Sequence, residues 1–263
     1  MKRNKSDNSV FINILLPVIT VLAFLLVWQL AIMQGWISHK KMAAPLEVFQ
    51  TFLLKLYQKA PDGATLQQNI MQSLKISLSG LFLGIAVGTP LGLLMGWYKT
   101  VDRLVKPLFE LIRPIPPIAW IPLTILWIGV GDFAKICIIF VSAFIPCVLN
   151  SQAGIRQTPP VLINMSKTFG ADNFEIFWRI GIPSAIPMMF AGIRIALGNA
   201  WSTLVAAELL AANAGLGYMI TMGRQFQRAD IIVLGMITIG LLGFIITGIF
   251  EKLEQHVMKW RTL

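Results

Sequence analysis

Apolar residues fall into six long runs separated by short polar stretches. The runs are Phe11–Met33, Ile70–Trp97, Pro107–Ile128, Phe133–Asn150, Pro183–Leu210 and Ile231–Phe250. A helix needs ~20 apolar residues to cross a bilayer, with some scatter, so each run predicts one membrane span. The first run is longer than the apolar core of a secretory signal, and no small-residue cleavage site follows it. It therefore reads as a span. Between the first two runs the pattern is mixed. Val48, Phe52, Leu53 and Leu56 keep helical spacing and predict an amphipathic helix at the membrane surface. Pro61-Asp62-Gly63 predicts a turn. Tyr98–Lys106, with Lys99, Arg103 and Lys106, reads as a turn between spans, Gly129–Asp132 as another, and Ala211–Asp230 as a glycine-containing connection.

Two runs carry further patterns. In the second, Gly80, Gly84, Gly88, Gly92 and Gly96 recur every four residues. Four residues are nearly one helical turn, so these glycines form a smooth stripe against which another helix can pack closely. In the third, Arg113-Pro-Ile-Pro-Pro-Ile-Ala-Trp-Ile-Pro122 concentrates prolines, which remove backbone donors and kink helices. In lipid such a backbone survives only inside protein or along a cavity.

The longest polar island is Asn164–Pro187. Leu162, Met165, Ser166 and Phe169 share one helix face. Gly170 suits a left-handed helix end. Asp172 or Asn173 can cap a second turn carrying Phe174, Phe177 and Trp178. Pro183 stands where proline is accepted at the start of the next helix. The prediction is a short helix lying across one membrane face and presenting a surface to the aqueous side.

Composition agrees with a membrane protein. Of 263 residues, 56% are hydrophobic and only 13% charged, against about 25% charged in ordinary globular chains. The net charge of +10 does not point to nucleic acid, because the basic residues flank apolar runs instead of forming a stripe. Inner-side lysines and arginines outnumber outer ones when both termini and the polar island are placed in the cytoplasm, as the positive-inside tendency requires. Lys2, Arg3, Lys5 and the basic tail Glu251–Leu263 follow that placement, whereas Lys40, Lys41, Lys55 and Lys59 run against it. Cys137 and Cys147 are too far apart along one helix for a disulfide and read as packing residues. His39 and His256 stand alone, without metal-site spacing.

Catalytic motifs are missing from the sequence. There is no G-x-x-x-x-G-K-[ST] phosphate loop, no Ser/His/Asp set and no metal cluster. Ionisable residues within spans are costly and generally face protein interior or an aqueous path. Arg194 and Glu208 are fourteen residues apart on nearly the same helix face, with Trp201 midway, so both can border one cavity. The alternatives are an ion pair of Glu208 with Lys135 or Arg224, pairing of Arg194 with Glu110, and snorkelling of Arg113 toward the interface.

Three motifs carry a resemblance. Gly170, nine residues, Ile180, one residue and Ile182-Pro183 resembles the cytoplasmic EAA-type loop of ABC-importer permeases. Asn164, Met165 and Ser166 replace its Glu-Ala-Ala, and Ile182 its Leu. Arg113–Pro122 resembles the third span of permeases of the nitrate, sulfonate and taurine group. Trp201–Ala212, followed by Gly215-Leu-Gly217-Tyr218, resembles the fifth span of taurine-type permeases. The resemblance implies an all-α polytopic membrane protein with six transmembrane helices and a type I importer fold whose core is like that of the methionine importer. It divides the chain into an N-terminal span with an external amphipathic segment (1–65), a transmembrane domain (66–251) with a cytoplasmic coupling loop (151–182), and a tail (252–263).

The resemblance also implies a second permease copy, forming a homodimer, two ABC ATPase subunits, an external solute-binding protein and a bacterial inner-membrane setting. No cofactor is expected on this chain; ATP and magnesium belong to the ATPase. ATPase coupling is expected from Asn164, Met165, Ser166, Phe169, Gly170, Asp172, Phe174 and Pro183. The translocation path or gate is expected at Arg194, Trp201, Ser202 and Glu208. A small organic anion such as taurine is the expected solute, with nitrate, bicarbonate or a vitamin precursor as alternatives. A secondary carrier would show an internal repeat, and a membrane enzyme a catalytic constellation; the sequence has neither.

Overall fold

The computed structural model describes residues 4–36 and 42–259, with side chains from residue 15 onward. Lys2, Arg3, His39, Lys40, Lys41 and Arg261, and the side chain of Lys5, lie outside the described residues. All the regular structure described is helical. In chain order the helices are α1 (Asn4–Met33), α2 (Pro45–Lys55), α3 (Leu66–Trp97), α4 (Lys99–Ile112) and, after a single tight turn at Pro117–Trp120, α5 (Ile121–Ile128). They continue with α6 (Asp132–Arg156), α7 (Pro160–Thr168), α8 (Asn173–Ile176), a π-helical turn (Phe177–Gly181), α9 (Ile182–Ala211), α10 (Leu216–Gln225) and α11 (Ala229–Val257). Among the described residues five of these segments are long and apolar enough to cross a membrane, and six if α4 and α5, bent by 80° at their break, count together as one span.

Several boundaries differ from the sequence reading. Tyr98–Lys106 is not a turn: α4 begins at Lys99, directly after α3, and its Val101, Val105 and Phe109 keep helical spacing. The third span is broken at 113–116 where the prolines cluster, which is the expected effect of lost backbone donors. The fourth span continues to Arg156. The fifth does not start at Pro183, because α8 and the π turn run into α9 as one rod. The connection after it contains α10.

The chain divides into two compact units. The first comprises residues 1–67 and 219–237. Its α2 starts at Pro45, and the Glu47 side chain accepts the Ala44 N–H at 3.0 Å, the half of a capping box that an alanine N-cap permits. The helix is amphipathic as expected, but through a different face. Val48, Thr51 and Lys55 are buried, while Phe52 and Leu53 are exposed. Thr51 Oγ1 donates to Asp230 at 2.6 Å, which Arg228 also holds. Lys55, 2% exposed, donates to the carbonyls of Lys59, Ala60 and Ala64 and to Asp62, so it organises the turn around Gly63 (φ +79°). This accounts for one of the lysines that violate the positive-inside tendency: its charge is taken up by the fold.

The second unit, residues 68–218 and 238–263, is built around α6. The glycine stripe of α3 packs on it. A Cβ at Gly80 would lie 2.6 Å from Ile139, at Gly84 2.6 Å from Ala143, and at Gly88 2.9 Å from the Phe144 carbonyl. Gly154 of α6 and Gly192 of α9 make the opposite face equally tight, each leaving only 2.7 Å to a neighbouring Cβ, of Met188 and Asn150 respectively. Ser142 and Thr203 bond across that seam at 2.8 Å. Ile76, Ile139, Ala143, Cys147, Ala196, Ala200 and Leu204 form the resulting core. Small residues matter here because lipid is as apolar as leucine, so membrane helices associate through close packing.

Candidate functional site

Two parts of the second unit contain the site residues expected from the sequence. The first is the segment 158–184. Pro160 opens α7, where its missing N–H costs nothing. Gly170 (φ +85°) closes it: Gly170 N–H donates to Lys167 O at 3.0 Å and Ala171 N–H to Ser166 O at 3.0 Å. This pair of bonds is a Schellman motif. Asp172, not Asn173, is the next cap, accepting Glu175 N–H at 2.6 Å. Two caps back to back fix the direction in which α7 and α8 project.

Beneath the caps the segment is anchored. Phe177 is buried against Trp97 and Tyr98, with ring centroids at 5.6 and 5.8 Å. Gly181 lies against the Trp97 ring. Thr158 and Ser184 share a hydrogen bond of 2.7 Å, tying the two ends of the segment together. Above the anchor the apolar side chains have no cover. Phe169 is 85% exposed, and Met165, Phe174 and Trp178 are exposed as well. Phe169 rims a shallow cleft of about 210 Å³ formed with Ser166, Ala171, Glu175, Ile176, Arg179 and Ile180. Asn164 and Ser166 sit on α7 itself, and Pro183 in the first turn of α9. The arrangement is an apolar knob, capped at Gly170 and Asp172 and left uncovered above its anchor.

The second part lies along α9. Arg194 and Glu208, which share a helix face by spacing, turn to different neighbours. Arg194 forms an ion pair with Glu254 of α11, and Trp201 Nε1 donates to Ile239 O at 3.2 Å while covering Gly243. Glu208 instead turns to α3 and is 1% exposed. Its carboxylate accepts the Ser73 hydroxyl at 2.8 Å and the Gly217 N–H at 2.8 Å. Ser73 Oγ in turn accepts Leu216 N–H at 2.9 Å, and Asn69 Oδ1 accepts Gly215 N–H at 3.1 Å. Lys135 does not pair with Glu208, and instead pairs with Asp132 at 2.9 Å. Glu110 pairs with Arg113 at 3.2 Å, not with Arg194. Ser202 is exposed on α9.

Sequence reasoning missed Asn69 and Ser73, because their role depends on a neighbour far along the chain. It also missed the helical character of the charged stretch at 99–106. There a signal existed: Val101, Val105 and Phe109 recur every four residues between the charges.

Comparison with known proteins fits this geometry. Residues 88–259 match the family described as binding-protein-dependent transport system inner membrane component. The chain is 32% identical to the taurine transport system permease protein of Escherichia coli over 94% of its own length and 90% of that protein. It is 30% identical to the nitrate import permease protein of Synechocystis, again over 94% and 90%. A multi-pass helical bundle of the inner membrane with that relationship places this chain in the family of binding-protein-dependent inner membrane components, as the permease subunit of an ABC importer.

Proposed function

We propose that the chain acts as one of two identical permease subunits importing a small organic sulfonate such as taurine. An external solute-binding protein delivers the solute, and two ABC ATPase subunits, carrying ATP and magnesium, drive alternating access. Both termini and α7–α8 lie in the cytoplasm. The observation that carries this reading is the capped, uncovered knob around Phe169, which offers an ATPase a rigid lever continuous with α9. A chain without a phosphate loop is driven by ATP only through such mechanical contact, and the ATP-bound state must favour one permease conformation.

The substrate class is supported by similarity to the taurine permease; similarity to the nitrate permease keeps the smaller oxyanion as the second reading. The test is ATP-dependent uptake of radiolabelled taurine by vesicles holding the permease, its ATPase and its binding protein, with nitrate as competitor. Taurine uptake that nitrate leaves unaffected supports the first reading. Nitrate uptake without taurine uptake replaces it with the second. Cysteine labelling at Gly63 and Asn173 from opposite sides of the membrane checks the orientation.

A further inference from the structure

Helix α4 carries a charged, exposed face. Its depth in the bundle follows from its contacts with α6. Asp102 accepts Gln152 Nε2 at 2.6 Å and Arg156 at 2.7 Å, at the end of α6 next to α7. Seven residues later Phe109 stacks edge-on against Phe144, midway along α6, with ring centroids 6.2 Å apart. So α4 climbs antiparallel to α6, from the α7 end of the bundle to the middle of the membrane span.

Around the helix three sectors separate. Val101, Val105 and Phe109 pack on the bundle. Leu104, Leu108 and Leu111 form an exposed apolar sector suited to hydrocarbon. Lys99, Arg103, Lys106, Glu110 and Arg113 occupy a separate arc of about 80° at 100° per residue. All five are exposed. Lys99, Arg103 and Lys106 have no carboxylate partner among the described residues, while Glu110 is taken by Arg113 and Asp102 by Arg156. Four cations against one carboxylate on a helix that runs from the α7 end to the middle of α6 are costly to set against lipid. At the top of this arc the helix breaks, and Arg113–Pro116 are exposed. Broken backbone at that depth requires protein cover or an aqueous cavity.

We propose that this face of α4 lines the inner half of the solute path as an electropositive ladder. It passes a small anion, or the sulfonate end of a zwitterion, from the proline break to the cytoplasm. The inference rests on the reading of the chain as an importer of small sulfonates or oxyanions, and adds to it the residues that favour negative charge. A low-dielectric cleft lined by one sign of charge raises the local concentration of counter-ions.

The test uses the assembled permease–ATPase complex in inside-out vesicles, with Arg103→Cys and Lys106→Cys variants and the unsubstituted complex as background for Cys137 and Cys147. Each is treated with an anionic, sulfonate-bearing thiol reagent and with a cationic one of similar size. The ladder requires both positions to react, the anionic reagent about tenfold faster, the preference falling as salt is raised. No reaction with either reagent means lipid or protein covers this face. Equal rates mean the face is wet but unselective. Either result overturns the proposal. Lys106→Gln should lower the taurine uptake rate at unchanged complex yield, and Lys106→Arg should restore it; normal uptake by Lys106→Gln also overturns it. The thiol reactions do not involve the transported solute. Failure of taurine uptake in the unsubstituted complex therefore counts against the substrate reading alone.

Discussion

Truncating Phe169 to alanine removes the most exposed apolar side chain of the docking knob. At 85% exposure it contributes almost nothing to the stability of the free permease, so folding and membrane insertion should not change. If an ATPase groove buries it, the loss falls on association. Burying a phenylalanine side chain is worth about 1.5–3 kcal/mol. That corresponds to a roughly 10- to 150-fold weaker complex, in the range of interface hot spots. The assay is titration of the ATPase subunit onto permease held in lipid nanodiscs, followed by ATP-dependent uptake in vesicles. Gly170→Ala provides an independent check. A Cβ there meets nothing within 4 Å, so any effect comes from the left-handed backbone (φ +85°), at about 1–2 kcal/mol. It should disturb the angle of α7 with no lost contact. Affinity within about twofold of the parent and full uptake in both variants would refute the docking role of this knob, because the mechanism leaves the knob no other task.

Three further outcomes follow from the packing. Gly84→Val should cut the yield of folded permease, since its Cβ would lie 2.6 Å from Ala143 Cβ and 3.0 Å from the Phe144 backbone nitrogen; Gly198→Ala, with open space around it, should be silent in the same detergent melting assay. Ser73→Ala should lower thermal stability by an amount equivalent to about 1–3 kcal/mol, because it leaves Leu216 N–H without its acceptor and removes a donor from the Glu208 carboxylate. Lys55→Met should destabilise the first unit by about 3–5 kcal/mol by removing the cation paired with the buried Asp62 carboxylate, detectable as protease cleavage near Gly63.

How far the sequence revealed the site depends on whether its signal was local. The caps at Gly170 and Asp172 were legible because each works within a few residues: one glycine able to take positive φ, one carboxylate three residues from the N–H it accepts. The glycine stripe was legible as a surface, but its partner α6 was not, since no residue of α3 encodes which helix it meets. The role of Glu208 was hidden for the same reason. Its acceptor needs are met by Ser73 and Gly217, and only the fold brings Ser73 near. Arg194 and Glu208 share a helix face by arithmetic, yet they meet different neighbours, because what a face touches changes along thirty residues of α9.

The reading of the first half of α4 as a turn has a more general cause. A search for apolar runs finds helices that lipid or protein surrounds on every side. A helix that borders water inside the membrane must carry polar residues on one arc, and these lower the hydropathy of the whole segment. In α4 that arc holds Lys99, Arg103, Lys106, Glu110 and Arg113, while Val101, Val105 and Phe109 keep the helical period on the other side. The segment that hydropathy alone assigns to a loop is therefore the one a hydrated path would leave in the sequence. Periodicity read separately from mean hydropathy recovers it, because the four-residue spacing of the packed face persists however many charges lie opposite.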